Sequence, residues 1–312
     1  MKLFDLHCDT ATRIYEGGVP LKNNDYHISL DKAASFDKYV QLTAVFTSTE
    51  LSDDEGYARF WKVRDNLLEE TRKNNVRMIT SSRELVDFEQ SSDKVAFILT
   101  VEDARILCEK KERIKELYDA GVRVITPLWG GKTIIGGSHD TSPGLSDFGR
   151  ETVEEMLSLG IIPDISHASF SSADEIISMC EEHGKVAFAS HSDSYTVNHH
   201  SRNLTDDRFK RISSRGGVCG INLCTMHLSE KPENASIDTV VEHILHFADI
   251  SPFSVALGCD LDGTDLPRDI GDVSYLPKIA SALRKRKISE QFIDRLYYCT
   301  AYEFMKNNLP RE

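Results

Sequence analysis

Short runs rich in β-branched and aromatic residues recur along the chain, each followed by a longer stretch whose apolar positions repeat with helical spacing. Eight such runs predict strands at residues 3–9, 39–47, 95–102, 122–126, 161–167, 185–191, 216–223 and 254–260. The stretches between them predict helices, among them 54–74, 104–120, 148–159, 171–183, 239–248 and 289–306. Ser289-Glu290 is placed to open the last of these, and Gly121 and Gly160 fall where two others should stop. Strands alternating with crossover helices give a parallel sheet. Eight such units fit an α/β chain folded as one TIM-type (β/α)8 barrel domain over residues 1–312. Three post-strand loops, 10–38, 127–147 and 192–204, are long enough to serve as lids or binding segments.

Composition narrows the function more than the fold. A chain with 40% hydrophobic and 28% charged residues can bury a sizeable core. The net charge of −13 argues against a nucleic-acid partner, which needs clustered Lys and Arg. The one basic run, at 284–287, reads as a solvated helix end. Seven cysteines, an odd number without a CxxC pair, fit reduced thiols and a cytoplasmic location. The amino-terminal residues enter a strand with no apolar export region, and no apolar run approaches the ~20 residues of a membrane span, so no membrane partner is expected. A homodimer is expected only because it is the commonest assembly.

Barrels of this kind carry their chemistry at the C-terminal ends of the strands. The first predicted strand ends in His7-Cys8-Asp9, the third in Glu102, the fifth in His167, the sixth in His191 and the eighth in Asp260. Strand alternation puts His7 and Asp9 on one side and turns Cys8 to the other. A lone His-x-Asp carries little weight. Several ionisable groups converging on one barrel mouth carry more, because burying them together is costly unless cations or hydrogen bonds offset them. Imidazole and carboxylate suit zinc, and also iron, manganese or cobalt. With His7, Asp9, Glu102, His167 and His191 as ligands and one carboxylate bridging, two ions about 3.5 Å apart fit the set. Asp260 is open to two roles, proton relay or further ligand.

Five segments together resemble the membrane (renal) dipeptidase family: Phe4-Asp5-Leu6-His7-Cys8-Asp9, residues 144–149 (GLSDFG), Asp164-Ile165-Ser166-His167, Ser190-His191-Ser192 and residues 258–263 (GCDLDG). They fall in the family order over nearly the whole chain. The resemblance implies an amidohydrolase-type barrel with a two-zinc centre that hydrolyses dipeptides, including those with a C-terminal D-residue. His7 and Asp9 would hold one Zn2+, His167 and His191 the other, and Glu102 would bridge. Asp260 would be the catalytic acid/base, and Arg202 would grip the carboxylate of a small peptide substrate, for which a guanidinium fork is suited. One position departs from the mammalian pattern: a carbonyl-polarising histidine after the fourth strand is replaced by Trp129, a substrate-binding candidate, with His139 in the same loop as an alternative. That departure leaves open an amide or lactam hydrolase on the same metal centre. A non-catalytic binding barrel is disfavoured, since no ligand and no Asp260 is missing.

Other matches carry less. Gly130-Gly131-Lys132-Thr133 resembles the end of a phosphate-binding loop, but Thr126 stands where its first glycine belongs. His243 and His246, one turn apart on a helix, read as surface or packing residues. Cys8 and Cys259 read as core, and Asp262 as a loop cap.

Overall fold

The computed structural model describes residues 1–47 and 50–312. Its centre is a curled parallel sheet flanked by helices. The strands are β1 (Leu3–Cys8), β2 (Tyr39–Phe46), β3 (Arg77–Met78), β4 (Val95–Glu102), β5 (Val124–Thr126), β6 (Ile162–Pro163), β7 (Cys219–Ile221) and β8 (Val255–Leu257). Seven pair in the order β6-β5-β4-β2-β1-β8-β7. The eighth, β3, was not expected from the sequence; it pairs with Ala96 and Phe97 of β4, below the level at which β5 pairs with residues 100–102.

The expected strand at 185–191 forms no ladder. Phe188 and Ala189 make one isolated parallel bridge each, to Asp164 and Cys219. Side chains take the place of main-chain acceptors just beyond: Ser190 N donates to Asp164 Oδ1 (2.9 Å) and His191 N to Ser166 Oγ (3.2 Å). What is seen is therefore a curled seven-strand path with a bridged segment between its edges. The segment lies close against two glycines, since a Cβ on Gly220 or Gly258 would come within 2.0 or 1.8 Å of Ser190 O.

Alternation divides the strand residues between two apolar clusters. Phe4, Leu6, Val40, Leu42, Ala96 and Ile98 pack in one with Phe304 and Met305 of the last helix, Thr300–Asn308. Leu3, Cys8, Tyr39, Phe97 and Leu99 join the larger cluster with the surrounding helices. In β1 the register shifts between Asp5 and Cys8. Leu6 and Cys8, two apart, consequently fall in different clusters, and His7 and Asp9 take the side that an unbroken alternation from Phe4 and Leu6 would have denied them.

Helices form where capping chemistry opens them. Ser52, with Glu55 in a reciprocal capping box, starts Asp53–Lys73; Ser146 starts Asp147–Leu159; Ser169 starts Phe170–Glu182. Gly160 ends its helix at φ +83°. The helix expected at 104–120 is broken into a short turn, Ala104–Leu107, and Glu112–Asp119, because Cys108 and Glu109 adopt positive φ. That expected at 289–306 is helical but contains a wide turn at Arg295–Cys299. Among the described residues no helix is long and apolar enough to cross a membrane.

Candidate metal centre

Six ionisable side chains meet at the C-terminal rim of the sheet, and they reach it by different routes. Glu102 is the last residue of β4, held by eight paired residues of β2 and by β5. His7 lies in β1 within the register shift. Asp9 is the residue before the helix Thr10–Gly17; its side chain caps nothing, which leaves the carboxylate for the site. His191 follows the bridged segment. The expected strands 161–167 and 254–260 end instead at Pro163 and Leu257, so His167 and Asp260 are not strand residues. Left-handed turns, φ +66° and +56°, bring them into the site.

Glu102 faces both ways. Its Oε2 lies 3.7 Å from His7 Nε2, while Oε1 lies 3.0 Å from His167 Nε2 and 3.4 Å from His191 Nε2. His7 Nε2 is also 3.5 Å from Asp9 Oδ2 and 3.8 Å from Asp260 Oδ1. The His7 and His191 rings stack at 3.7 Å. Three sets of donor atoms could each hold a metal ion: His7, Asp9 and Glu102; Glu102, His167 and His191; and His7, His191 and Asp260.

The chemistry of these donors fits a cation. His7 Nε2, Asp9 Oδ1 and Glu102 Oε1 are buried without a hydrogen-bond partner, an arrangement that is expensive unless something positive occupies the space between them. Burial lowers the His7 pKa, but Glu102, Asp9 and Asp260 outweigh it and raise it to about 10, so without a metal a proton would supply the positive charge. Burial, with Arg202 adding to it, pushes His167 and His191 well down and keeps both neutral, the form that ligates. Their tautomers are fixed from behind. Trp129 O lies 3.0 Å from His167 Nδ1 and can only accept, so His167 presents a lone pair at Nε2. Ser190 Oγ, whose proton goes to Asp164 Oδ2 at 2.5 Å, sits 2.6 Å from His191 Nδ1 and sets the same tautomer there.

Asp260 differs from the other carboxylates. Burial, reinforced by Asp9, carries its pKa up to about 7 against His7, Arg202 and the Asn222 amide, whose Nδ2 donates to Oδ2 at 3.2 Å. A buried carboxyl that exchanges its proton near neutrality is suited to acid–base work.

The centre opens into a cavity of about 560 Å³ lined by Asp9, Glu102, His167 and Asp260 at its floor and by Phe46 and Trp129 at one wall. The Phe46 and Trp129 rings are 5.0 Å apart. His139 lines the cavity too, its Nδ1 3.1 Å from Ser201 Oγ. Arg202 is 4% exposed; its Nη1 donates to Ser192 Oγ (2.9 Å) and its Nη2 to His191 O (2.8 Å). His200 and His227, which the sequence pattern does not single out, also line the cavity. The His-Ser-Arg run next to Arg202 was the available signal for His200. His243 is buried, accepting from Ser194 N and bonding Leu228 O, and so has a packing role. Cys8 and Cys259 are core, and Asp262 clamps a loop through Thr10 Oγ1 (2.6 Å) and His27 N (2.6 Å).

Comparison with known proteins agrees with this architecture. The model of the membrane dipeptidase family (peptidase family M19) matches residues 1–302. An uncharacterized dipeptidase of Schizosaccharomyces pombe is 33% identical over 211 residues, 65% of this chain; the match covers 51% of that protein, so the chain spans about half its length. Among solved structures, the dipeptidase AC, a metallopeptidase, superposes with a TM-score of 0.91 at 23% identity over 99% of both chains. A metallopeptidase of Rhodobacter sphaeroides, liganded with a phosphinate mimic of the dipeptide L-Ala-D-Ala, gives 0.89 at 22% identity, again over 99% of both. These last two are likenesses of fold. On the family match across nearly its full length, the chain belongs to the membrane dipeptidase family, peptidase family M19.

Proposed function

We propose that this chain is a zinc dipeptidase with a binuclear centre. The observation that carries the reading is the two-sided Glu102, one oxygen toward His7 and the other toward His167 and His191, with unpartnered buried donor atoms on both sides. His7 and Asp9 would hold one ion, His167 and His191 the other, and Glu102 both. When bound, the ions supply Lewis acidity at the scissile carbonyl and make water nucleophilic near neutral pH.

The rest of the work falls to the chain. Asp260, anchored by Asn222, takes the proton released as water adds to the carbonyl carbon and returns it to the amine as the C–N bond breaks. Phe46 and Trp129 shield one wall from solvent. Arg202 supplies the positive charge that favours a carboxylate at its end of the cavity. The cavity falls within the roughly 300–1,000 Å³ of small-molecule sites, which suits a dipeptide better than a longer chain. The Phe188 and Ala189 bridges support reading the sheet as one closed (β/α)8 barrel domain. The seven free cysteines fit the reducing cytoplasm.

The test is metal analysis of the purified protein together with a dipeptide panel that includes L-Ala-D-Ala. About two zinc ions per chain and release of free amino acids are expected; absence of any transition metal would overturn the reading. A zinc-loaded protein that cleaves no dipeptide would point to the amide or lactam hydrolase that Trp129 leaves open.

A further inference from the structure

The helix Thr10–Gly17 stands at the cavity rim, where Thr12, Arg13 and Glu16 line the cavity together with Asp9, the residue before the helix. Residues at i, i+3, i+4 and i+7 share one helix face. That face is fixed on both flanks: Phe46 N donates to Thr12 Oγ1 at 3.1 Å, and Glu16 pairs with Arg59 of the helix Asp53–Lys73. Arg13 differs from its neighbours. Its guanidinium carbon lies over the Tyr26 ring, 5.1 Å from the centroid, and among the described residues its side chain has no hydrogen bond or ion pair. Gly17 lets the Tyr26 platform come this close, since a Cβ there would collide with the Tyr26 hydroxyl. An arginine held over an aromatic face keeps its edge N–H groups free for a carboxylate.

Arg13 is also the one lysine or arginine among the described residues of the cavity lining. The rim carboxylates are engaged elsewhere: Glu16 by Arg59, Asp262 by Thr10 and His27, and Asp140 Oδ1 by Gly131 N at 2.8 Å. Asp9, Glu102 and Asp260 converge on His7 at the floor, where the centre needs its own cation. An unanswered positive charge on the wall of a concave site attracts anionic groups, because low-dielectric walls concentrate the field.

The topology sets which part of a substrate comes here. The helix joins β1 to β2, and in the sheet order these strands lie across the curl from the bridged segment that leads to His191 and Arg202. A dipeptide with its terminal carboxylate at the Arg202 end and its scissile carbonyl over the floor directs its amino-terminal residue toward the helix. We propose that Arg13 is a specificity residue, the cation of a subsite that favours dipeptides with an acidic side chain on the amino-terminal residue. The proposal rests on the dipeptidase reading for the direction in which the substrate lies.

The test compares L-Glu-D-Ala with the isosteric, uncharged L-Gln-D-Ala on the zinc-reconstituted full chain. Wild-type protein should favour the glutamyl substrate in kcat/KM by about three- to fivefold, the weight of one solvent-accessible ion pair, and the ratio should shrink as salt is raised. Arg13→Gln should bring the ratio to about one and Arg13→Glu should invert it. Both substrates are read on the same protein, so any loss of folded enzyme cancels from the ratio. No glutamyl preference in wild type, or one that survives Arg13→Gln, would overturn the subsite. So would an Arg13→Gln effect confined to L-Ala-D-Glu against L-Ala-D-Gln, which would put the carboxyl-terminal residue at the helix. If wild-type protein cleaves no dipeptide, the dipeptidase reading falls, and calorimetric titration with the same uncleaved pair decides the subsite: tighter binding of L-Glu-D-Ala that Arg13→Gln abolishes upholds it, and equal binding overturns it.

Discussion

At the scale of the residue, the site is a set of side chains whose orientation is decided by their neighbours. His191 is the clearest case, since Asp164 orders the Ser190 hydroxyl and the hydroxyl orders the ring. Ser190→Ala should therefore lower zinc affinity about 10- to 100-fold while leaving the five candidate ligands in place. Competition with a chromophoric chelator measures this, and an unchanged affinity would show that the hydroxyl orients nothing. Asp260 makes the opposite test. Asp260→Asn should retain metal and lose about a hundredfold or more in kcat, the usual weight of a positioned acid–base group; loss of the metal instead would make Asp260 a ligand. These residues were unequally legible. Glu102 ends its strand as the apolar pattern says. His167 and Asp260 lie beyond their strands in left-handed turns, which depend on contacts from elsewhere in the chain, so the apolar pattern reached them only by running each strand on too far, and the motif around them marked them as well.

At the scale of the element, two backbones pass close to each other where the candidate site is built. Ser190 O faces Gly220 and Gly258 at distances no side chain tolerates. Gly258→Ala should thus destabilise the chain by about 2–4 kcal/mol, a backbone clash inside a buried sheet, and should displace the segment that carries His191. A fall in the urea midpoint accompanied by lost zinc is the expected outcome; a variant with wild-type midpoint would mean that the sheet yields there at no cost. The apolar pattern located seven of the paired strands but could not show that 185–191 would bridge rather than pair, because its acceptors are side chains remote in sequence. Nor could it show the register shift in β1. The expectation that His7 and Asp9 share a side was right, yet the side they share was set by that shift.

At the scale of the whole molecule, the cation the site needs is linked to stability. In the metal-free protein the pKa of His7 is raised from 6.5 to about 10 and that of Asp260 from 3.8 to about 7, so the folded state holds protons that the unfolded chain releases. Stability then falls as pH rises. The His7 contribution is fully present below about 6.5 and lost through about 10, and the Asp260 contribution is fully present below about 4 and lost through about 7. Both losses have the same sign, and together they span about pH 4 to 10, a window that contains pH 6 to 9. Metal binding replaces those protons with a cation and adds stability in proportion to the logarithm of metal concentration over Kd. Stripping the metal with a chelator should therefore lower Tm at every pH, and lower it more at pH 9 than at pH 6. Melting curves of both forms across that range decide the matter. Metal-free protein whose Tm is flat or rises with pH would mean that no excess negative charge is buried at the centre.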